Sequence, residues 1–452
     1  MNRTQYHNVP ALITHLLILA GMVAFASWLK GLSMESSWQQ TGLTTFSLGF
    51  LLLASYVSAR MLGTVGLPLI SGYIFTGIIA GPHVTGFLSE AMVELLRLVD
   101  DFALSFIALT AGGTLYLGFL RERGRAILLN ITLLTVLVFS MVLAFVVLMG
   151  RYSHWIPDLT PAQTTALAVL LGVISVARSP SSAIAIISES RASGPFTSTV
   201  LGVTVAMDVL IIIFFTLALT MSKIMLSTTI AVDYHAFLAL SLAVAGSLLL
   251  GVGLGRVISL YIEKVRHDLP LFLLLFAFGI FKVSLWLNLF MEGRFAVSLN
   301  LEPLLICMSA GFSVQNFSGM GRFFMDGLER ISLPIYVLFF SLAGASLDLE
   351  ALRIAWPLAL SLAVVRGLGI LAATWLAGVL NRDPASHRRS AWMAYLTQAG
   401  VAIGLAQLAE RHFPEIGVYL TTVVLAVITI NQVVGPITFK ASLNMVGEAD
   451  KR

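Results

Sequence analysis

The stretch Leu201-Gly202-Val203-Thr204-Val205-Ala206-Met207-Asp208-Val209-Leu210-Ile211-Ile212-Ile213 reads as the middle of a membrane-spanning helix that carries one carboxylate. Asp208 is the only acid so deep in an apolar run of this chain. An ionisable group in hydrocarbon is expensive to keep, which marks the position as functional. Composition points to the same solvent: 58% of the 452 residues are hydrophobic, 11% are charged, and the mean hydropathy is +0.93. A soluble fold of that makeup lacks the polar residues to cover its surface. No polar linker divides the chain, so the reading is one integral membrane domain. The lone Cys307 excludes an intramolecular disulfide or a cysteine metal cluster.

Hydropathy marks about fourteen apolar segments, at 11–32, 44–62, 66–81, 100–119, 127–150, 162–188, 195–221, 235–261, 269–290, 296–315, 331–348, 352–379, 389–409 and 415–442. The expected fold class is therefore an all-α integral membrane protein with about 13–14 transmembrane helices. Ala11–Leu32 is long enough to span and has no clean small-residue cleavage site, so residues 1–43 read as a retained extra helix. The N-terminus, the loops after even-numbered segments and the C-terminus together hold 16 of the 27 Lys and Arg, against 7 on the opposite side. This imbalance predicts that both termini are cytoplasmic. Four basic residues remain in spans: Arg256 and Lys282 can snorkel toward an end, whereas Arg178 and Arg366 fall near the middle.

An internal repeat organises the segments. Ala111-Gly112-Gly113-Thr114-Leu115-Tyr116-Leu117 matches Ala343-Gly344-Ala345-Ser346-Leu347-Asp348-Leu349, identical at four positions of seven, and Pro68-Leu69-Ile70 with Gly77 has a weaker echo in Pro303-Leu304-Leu305 with Gly311. The period is seven segments, an odd number, so the copies enter the membrane from opposite sides, as in many secondary transporters. The expected organisation is an extra helix at 1–43, a first repeat at 44–221, a linker helix at 222–268, a second repeat at 269–442 and a short cytoplasmic tail at 443–452.

Transporters of this kind bind substrate where spans are broken. Two corresponding segments carry such interruptions: Ser175-Val176-Ala177-Arg178-Ser179-Pro180-Ser181-Ser182, and Leu396-Thr397-Gln398-Ala399-Gly400. Pro180 removes a backbone donor, and Ser, Thr and Gln side chains can satisfy the groups it frees. The glycines of Gly251-Val252-Gly253-Leu254-Gly255 lie in a span with no preceding strand, so they read as close helix packing rather than a phosphate loop.

These residues resemble the cation/proton antiporter superfamily, which includes bacterial sodium/proton and potassium/proton exchangers and the eukaryotic sodium/hydrogen exchangers. The resemblance covers roughly residues 44–442 and is carried by Gly66-Leu67-Pro68-Leu69-Ile70-Ser71-Gly72 running to Gly81-Pro82, the Gly344 segment, Val365-Arg366-Gly367-Leu368-Gly369, Thr397-Gln398-Ala399-Gly400 and the Asp208 span. It implies a dimerisation domain and a core domain with two broken helices that cross near the bilayer midplane. It also implies that Asp208 binds a monovalent cation, Na+ or K+, and H+ in competition, and that Arg366 stabilises the core. The implied protein is a homodimer among membrane lipid in a multi-pass cell membrane, that of a prokaryotic inner membrane, serving pH homeostasis with no cofactor. Oxygens of Ser179, Ser181, Ser182 and Thr204, or free backbone carbonyls, are the expected further ligands, since hard cations prefer oxygen.

The departures from the family pattern matter as much. Many members carry Asp-Asp or Asn-Asp where this chain has Met207-Asp208, and Thr-Asp-Pro where it has Arg178-Ser179-Pro180. With a single carboxylate, electroneutral one-for-one exchange is expected. An arginine does not readily give up its proton, so Arg178 and Arg366 leave the core net positive. Two other readings follow: an anion- or proton-coupled transporter that uses the paired arginines, and a non-transporting sensor or scaffold in which Arg178 locks Asp208. An enzyme is not expected, because none of the eight histidines forms a metal-spaced pair or a triad with an intramembrane serine. The basic clusters at 121–125 and 387–389 read as topology determinants at an anionic lipid surface, with no nucleic-acid role.

Overall fold

The computed structural model describes residues 21, 38–64, 67–152, 159–226, 234–265, 267–295, 301, 303–398 and 400–449. The expected span Ala11–Leu32 lies almost wholly outside them. The other thirteen segments all appear as helix. They are α1 (Trp38–Gly63), α2 (Leu69–Ala80), the short α3 (Glu90–Leu95), α4 (Arg97–Thr114), α5 (Leu117–Tyr152), α6 (Pro161–Val176), α7 (Pro180–Glu189), α8 (Pro195–Leu226), α9 (Tyr234–Lys264), α10 (Leu269–Phe295), α11 (Pro303–Phe317), α12 (Gly321–Ala345), α13 (Leu349–Leu380), the short α14 (Ala385–Ser390) leading into a 3₁₀ turn (Ala391–Tyr395), α15 (Gly400–His412) and α16 (Pro414–Val446). No strand occurs among the described residues. Nine segments among them are long and apolar enough to cross a bilayer, counting α6 and α7 as one; α2 and α4 are shorter apolar helices. A chain in hydrocarbon must satisfy its backbone internally, and helices do so within each segment.

Two compact units share these helices: residues 1–103 with 331–347, and residues 104–330 with 348–452. In the first, α2 packs along α1, and Gly72 lies so close to Ala59 that a Cβ would come within 2.7 Å of that residue's own. Gly77 meets α12 the same way. A Cβ on Gly77 would overlap the carbonyl of Ser341 and come within 2.8 Å of the Ala345 nitrogen, and one on Gly344 would overlap the carbonyl of Ile74. Leu51, Ala80, Leu88, Leu96, Leu342 and Ala345 close the core around this crossing, and Ser341 Oγ donates to Ser55 Oγ at 2.7 Å.

The second unit contains a matching crossing. A Cβ on Gly112 of α4 would overlap the carbonyl of Met308 on α11, and one on Gly311 would overlap the carbonyl of Leu109. Both crossings use the glycines singled out in the sequence repeat. Small residues permit this because lipid offers helices no hydrophobic drive to associate, so packing depends on how closely the backbones approach. The glycines of α9 serve the same end: Gly251 and Gly255 face α11, where Ser309 Oγ donates to the Leu248 carbonyl at 2.7 Å and Ser313 Oγ to that of Val252 at 3.3 Å. Elsewhere in this unit α5 packs against α6 and α13, α6 against α8, and α16 against both α13 and α15.

Gly77→Ala and Gly112→Ala should each lower stability by about 1–3 kcal/mol, because the added methyl meets backbone that can yield only by parting the helices. Thermal unfolding of the purified variants in detergent measures this, and midpoints equal to wild type would show that the crossings tolerate separation.

Candidate functional site

The two interruptions expected from sequence are present, and they meet. The first falls between α6 and α7. A capping box of Thr160 and Gln163 starts α6, and Ser179 caps α7, with Pro180 in the first helical turn, where a missing N–H costs nothing. The second falls between the 3₁₀ turn and α15: Leu396, Thr397 and Gln398 are non-helical and buried, and Gly400 begins α15. The halves are unequal, since a five-residue 3₁₀ turn stands where the first break has the 16-residue α6.

Arg366, buried on α13, joins the breaks. Its Nε donates to the Ser175 carbonyl at 2.9 Å, Nη2 to that of Ala177 at 3.2 Å and Nη1 to that of Leu396 at 2.9 Å. Gln398 forms a second tie: its Nε2 donates to the Ile174 carbonyl at 2.9 Å, and its Oε1 accepts from Asn431 Nδ2 of α16 at 3.1 Å. Arg178 turns back on its own break and donates from Nη1 to the carbonyls of Ser175 at 3.2 Å and Ala177 at 3.1 Å. Arg178 Nε and Nη2 are buried without a hydrogen-bond acceptor among the described residues.

These bonds correct one expectation. The carbonyls freed at the first break were candidate cation ligands, yet those of Ile174, Ser175 and Ala177 already accept from Gln398 and the two arginines. The end of α6 carries roughly half a negative charge from its dipole, and the guanidinium groups neutralise it. Two fixed positive charges against that partial charge leave the junction net positive.

The serines gather at the start of α7. Ser179 Oγ accepts from the Ser182 N–H at 3.2 Å and lies 2.8 Å from Ser182 Oγ and 3.1 Å from Ser181 Oγ. Thr204 is buried on α8 and bonds back to the Val200 carbonyl at 2.8 Å. Asp208 is half-buried one turn further on, so the two share a face of α8. Asp208 also continues the stripe of Leu201 and Val205, which packs against Ile184 of α7 together with Ala111 and Leu115. Among the described residues no ion pair joins Arg178 to Asp208.

Sequence reading passed over Asn431 and Tyr395. Asn431 stands out in hindsight as part of a polar Asn431-Gln432 pair inside an apolar span. Tyr395, buried at the end of the 3₁₀ turn, has no comparable signal; it lines a polar pocket together with Arg123, Asn130, Thr199, His387 and Arg388.

Interrupted helices tied together at buried charges, in an all-helical membrane fold, define a secondary ion transporter. The family model for the sodium/hydrogen exchanger transmembrane domain matches residues 48–444, and the chain belongs to that family. Among solved structures it is similar to the sodium/proton antiporter MjNhaP1 from Methanocaldococcus jannaschii at pH 8, with a TM-score of 0.60 and 16% identity over 90% of this chain and 96% of that one. An electron-microscopy structure of the same antiporter gives a TM-score of 0.65 and 15% identity over 92% and 100%. At such identities the likeness concerns the fold. Comparison with curated proteins by sequence gives no match.

Arg366→Leu should cost about 3 kcal/mol or more, since it leaves three buried carbonyls short of donors at about 1–3 kcal/mol each. Arg366→Lys should recover only part of this, because an ammonium cannot reproduce the planar fork. Thermal unfolding decides, and a lysine variant as stable as wild type would mean that charge matters there and geometry does not.

Proposed function

We propose that the protein exchanges a monovalent cation, Na+ or K+, for H+, electroneutrally, with Asp208 as the alternating carrier. The observation that carries this reading is the meeting of the two helix breaks through Arg366 and Gln398, with Asp208 on the neighbouring helix, in a member of the sodium/hydrogen exchanger family. One carboxylate serving two ligands gives obligatory exchange: ionised, it holds a cation; protonated, it is neutral and has released it. Ser179, Ser181, Ser182 and Thr204 are the proposed oxygen ligands, and Arg178 and Arg366 the charge partners of the core. The cation is cargo.

The paired glycine crossings at Gly77 with Gly344 and at Gly112 with Gly311 support an inverted repeat of residues 44–221 and 269–442. The distribution of Lys and Arg supports cytoplasmic termini, and the proposal extends to a prokaryotic inner membrane. The family likeness extends the proposal to a homodimer.

One observation favours a second reading. Arg178 is buried with two guanidinium nitrogens unbonded, which suits an anion that would neutralise it while Asp208 carries the proton. The locked-sensor reading has less support, since the bonds of Arg178 go to carbonyls.

Reconstitution in liposomes with an imposed pH gradient, offering Na+, K+, Li+ and anions in turn, tests these readings. Wild type should move protons with a cation, and Asp208→Asn should abolish that flux. Cation-driven flux that survives the substitution removes Asp208 from the mechanism, and anion-driven flux alone installs the second reading. Gain of transport in Arg178→Ser would support a lock.

A further inference from the structure

Glu448 stands just past α16, beyond the left-handed Gly447 (φ 81°) that ends the helix. Its carboxylate accepts the N–H of Phe196 at 2.8 Å, the N–H of Thr197 at 2.7 Å and the hydroxyl of Thr197 at 2.7 Å, and its own carbonyl accepts the Ser193 N–H at 3.1 Å. Phe196 and Thr197 lie in the first turn of α8, where helical geometry leaves N–H groups without intrahelical acceptors. A helix usually meets this need with a capping side chain just before its first turn. Here that position is Gly194, and a Cβ on it would overlap the Glu448 carboxyl. The cap is thus supplied from 252 residues away in the chain, and its negative charge suits the positive end of the α8 dipole.

The helix that delivers Glu448 also holds the second break and reaches the end of α7. Asn431 bonds Gln398 at the second break, and Gly435 lies against Thr397 so closely that a Cβ would come within 2.6 Å of its Cγ2. Lys440 Nζ pairs with Glu189 Oε1, at the end of α7, at 3.0 Å in a partly buried bridge. α16 therefore runs as a strap from the second break, past the end of α7, to the start of α8. That first turn of α8 is also a wall of the polar pocket, where Phe196 meets the His387 ring edge-on at 5.4 Å.

We infer that Glu448 is a positioning residue for exchange: it fixes the first turn of α8 and, through that helix, the placement of Asp208 against the helix breaks. The inference rests on the carrier reading of Asp208. Asp208 lies roughly three turns along the same rigid helix, so a loosened first turn changes its register without removing any group that touches the ion.

The test uses the full chain in nanodiscs and liposomes, comparing wild type, Glu448→Gln, Thr197→Val and Asp208→Asn. Glu448→Gln replaces charge-assisted bonds with weaker neutral ones, so amide exchange at Phe196 and Thr197 should rise about tenfold or more. Thr197→Val, which removes only the hydroxyl bond, should give a smaller rise and guards against a general folding defect. In transport, Glu448→Gln should raise the apparent KM for the cation about threefold or more while turnover changes by a different factor. Unchanged amide exchange would overturn the contact. Faster exchange with unaltered transport kinetics would make Glu448 a structural cap only and overturn the positioning role. Flux persisting in Asp208→Asn sinks the carrier reading and with it the positioning of Asp208, whereas the amide exchange of Glu448→Gln still decides whether the cap exists.

Discussion

The guanidinium of Arg366 bonded to carbonyls on both helix breaks is the contact on which the rest of the site depends. A helix interrupted in hydrocarbon frees carbonyls that lipid cannot satisfy, and each left bare costs several kcal/mol. Three donors in one rigid plane, reaching Ser175, Ala177 and Leu396 together, remove that penalty and fix the distance between the breaks in the same stroke. Gln398 repeats the arrangement with neutral groups, taking the Ile174 carbonyl and passing its own oxygen to Asn431. Remove the arginine and the Leu396 carbonyl loses its guanidinium donor, while Pro180, Arg178 and Gln398 still hold the first break.

That solution sets the charge of the core. Arg178 and Arg366 share the carbonyls of Ser175 and Ala177, so two cations crowd the end of α6. The helix dipole offers about half a compensating charge, which leaves room for an anionic group nearby. On the proposed carrier reading, Asp208 of α8 is the group whose charge would change against this constant background.

Much of this was legible in the sequence because the bilayer enforces strict rules. The run of apolar helices, the breaks at Pro180 and at Thr397-Gln398, and the burial of Arg178 and Arg366 follow from hydropathy, proline chemistry and the cost of buried charge. The glycines at 112 and 344, matched in the sequence, are each a point where two backbones touch. What could not be read was pairing between distant residues. Nothing local to Gly194 says that its missing side chain makes room for Glu448, and nothing local to Ser175 says that its carbonyl is already taken by Arg366. Such facts depend on which helix lies beside which, and apolar runs of similar composition carry little record of that.

The replacement of an acid by serine at the first break has a consequence for the proposed exchange. An acid before Pro180 would add a second negative charge beside the cation, and the site could then hold one cation against more than one proton. Ser179 cannot do this; it caps α7 by accepting the Ser182 N–H and donates to the Ser182 hydroxyl, both neutral groups. With the α6 carbonyls occupied, the only change of charge available on this proposed reading is that of Asp208 itself. One proton then displaces one monovalent cation, the occupied carrier is neutral in both states, and its passage across the membrane moves no net charge. The same arithmetic would make two arginines tolerable on the proposed reading: constant through the cycle, they leave the number of protons exchanged unchanged.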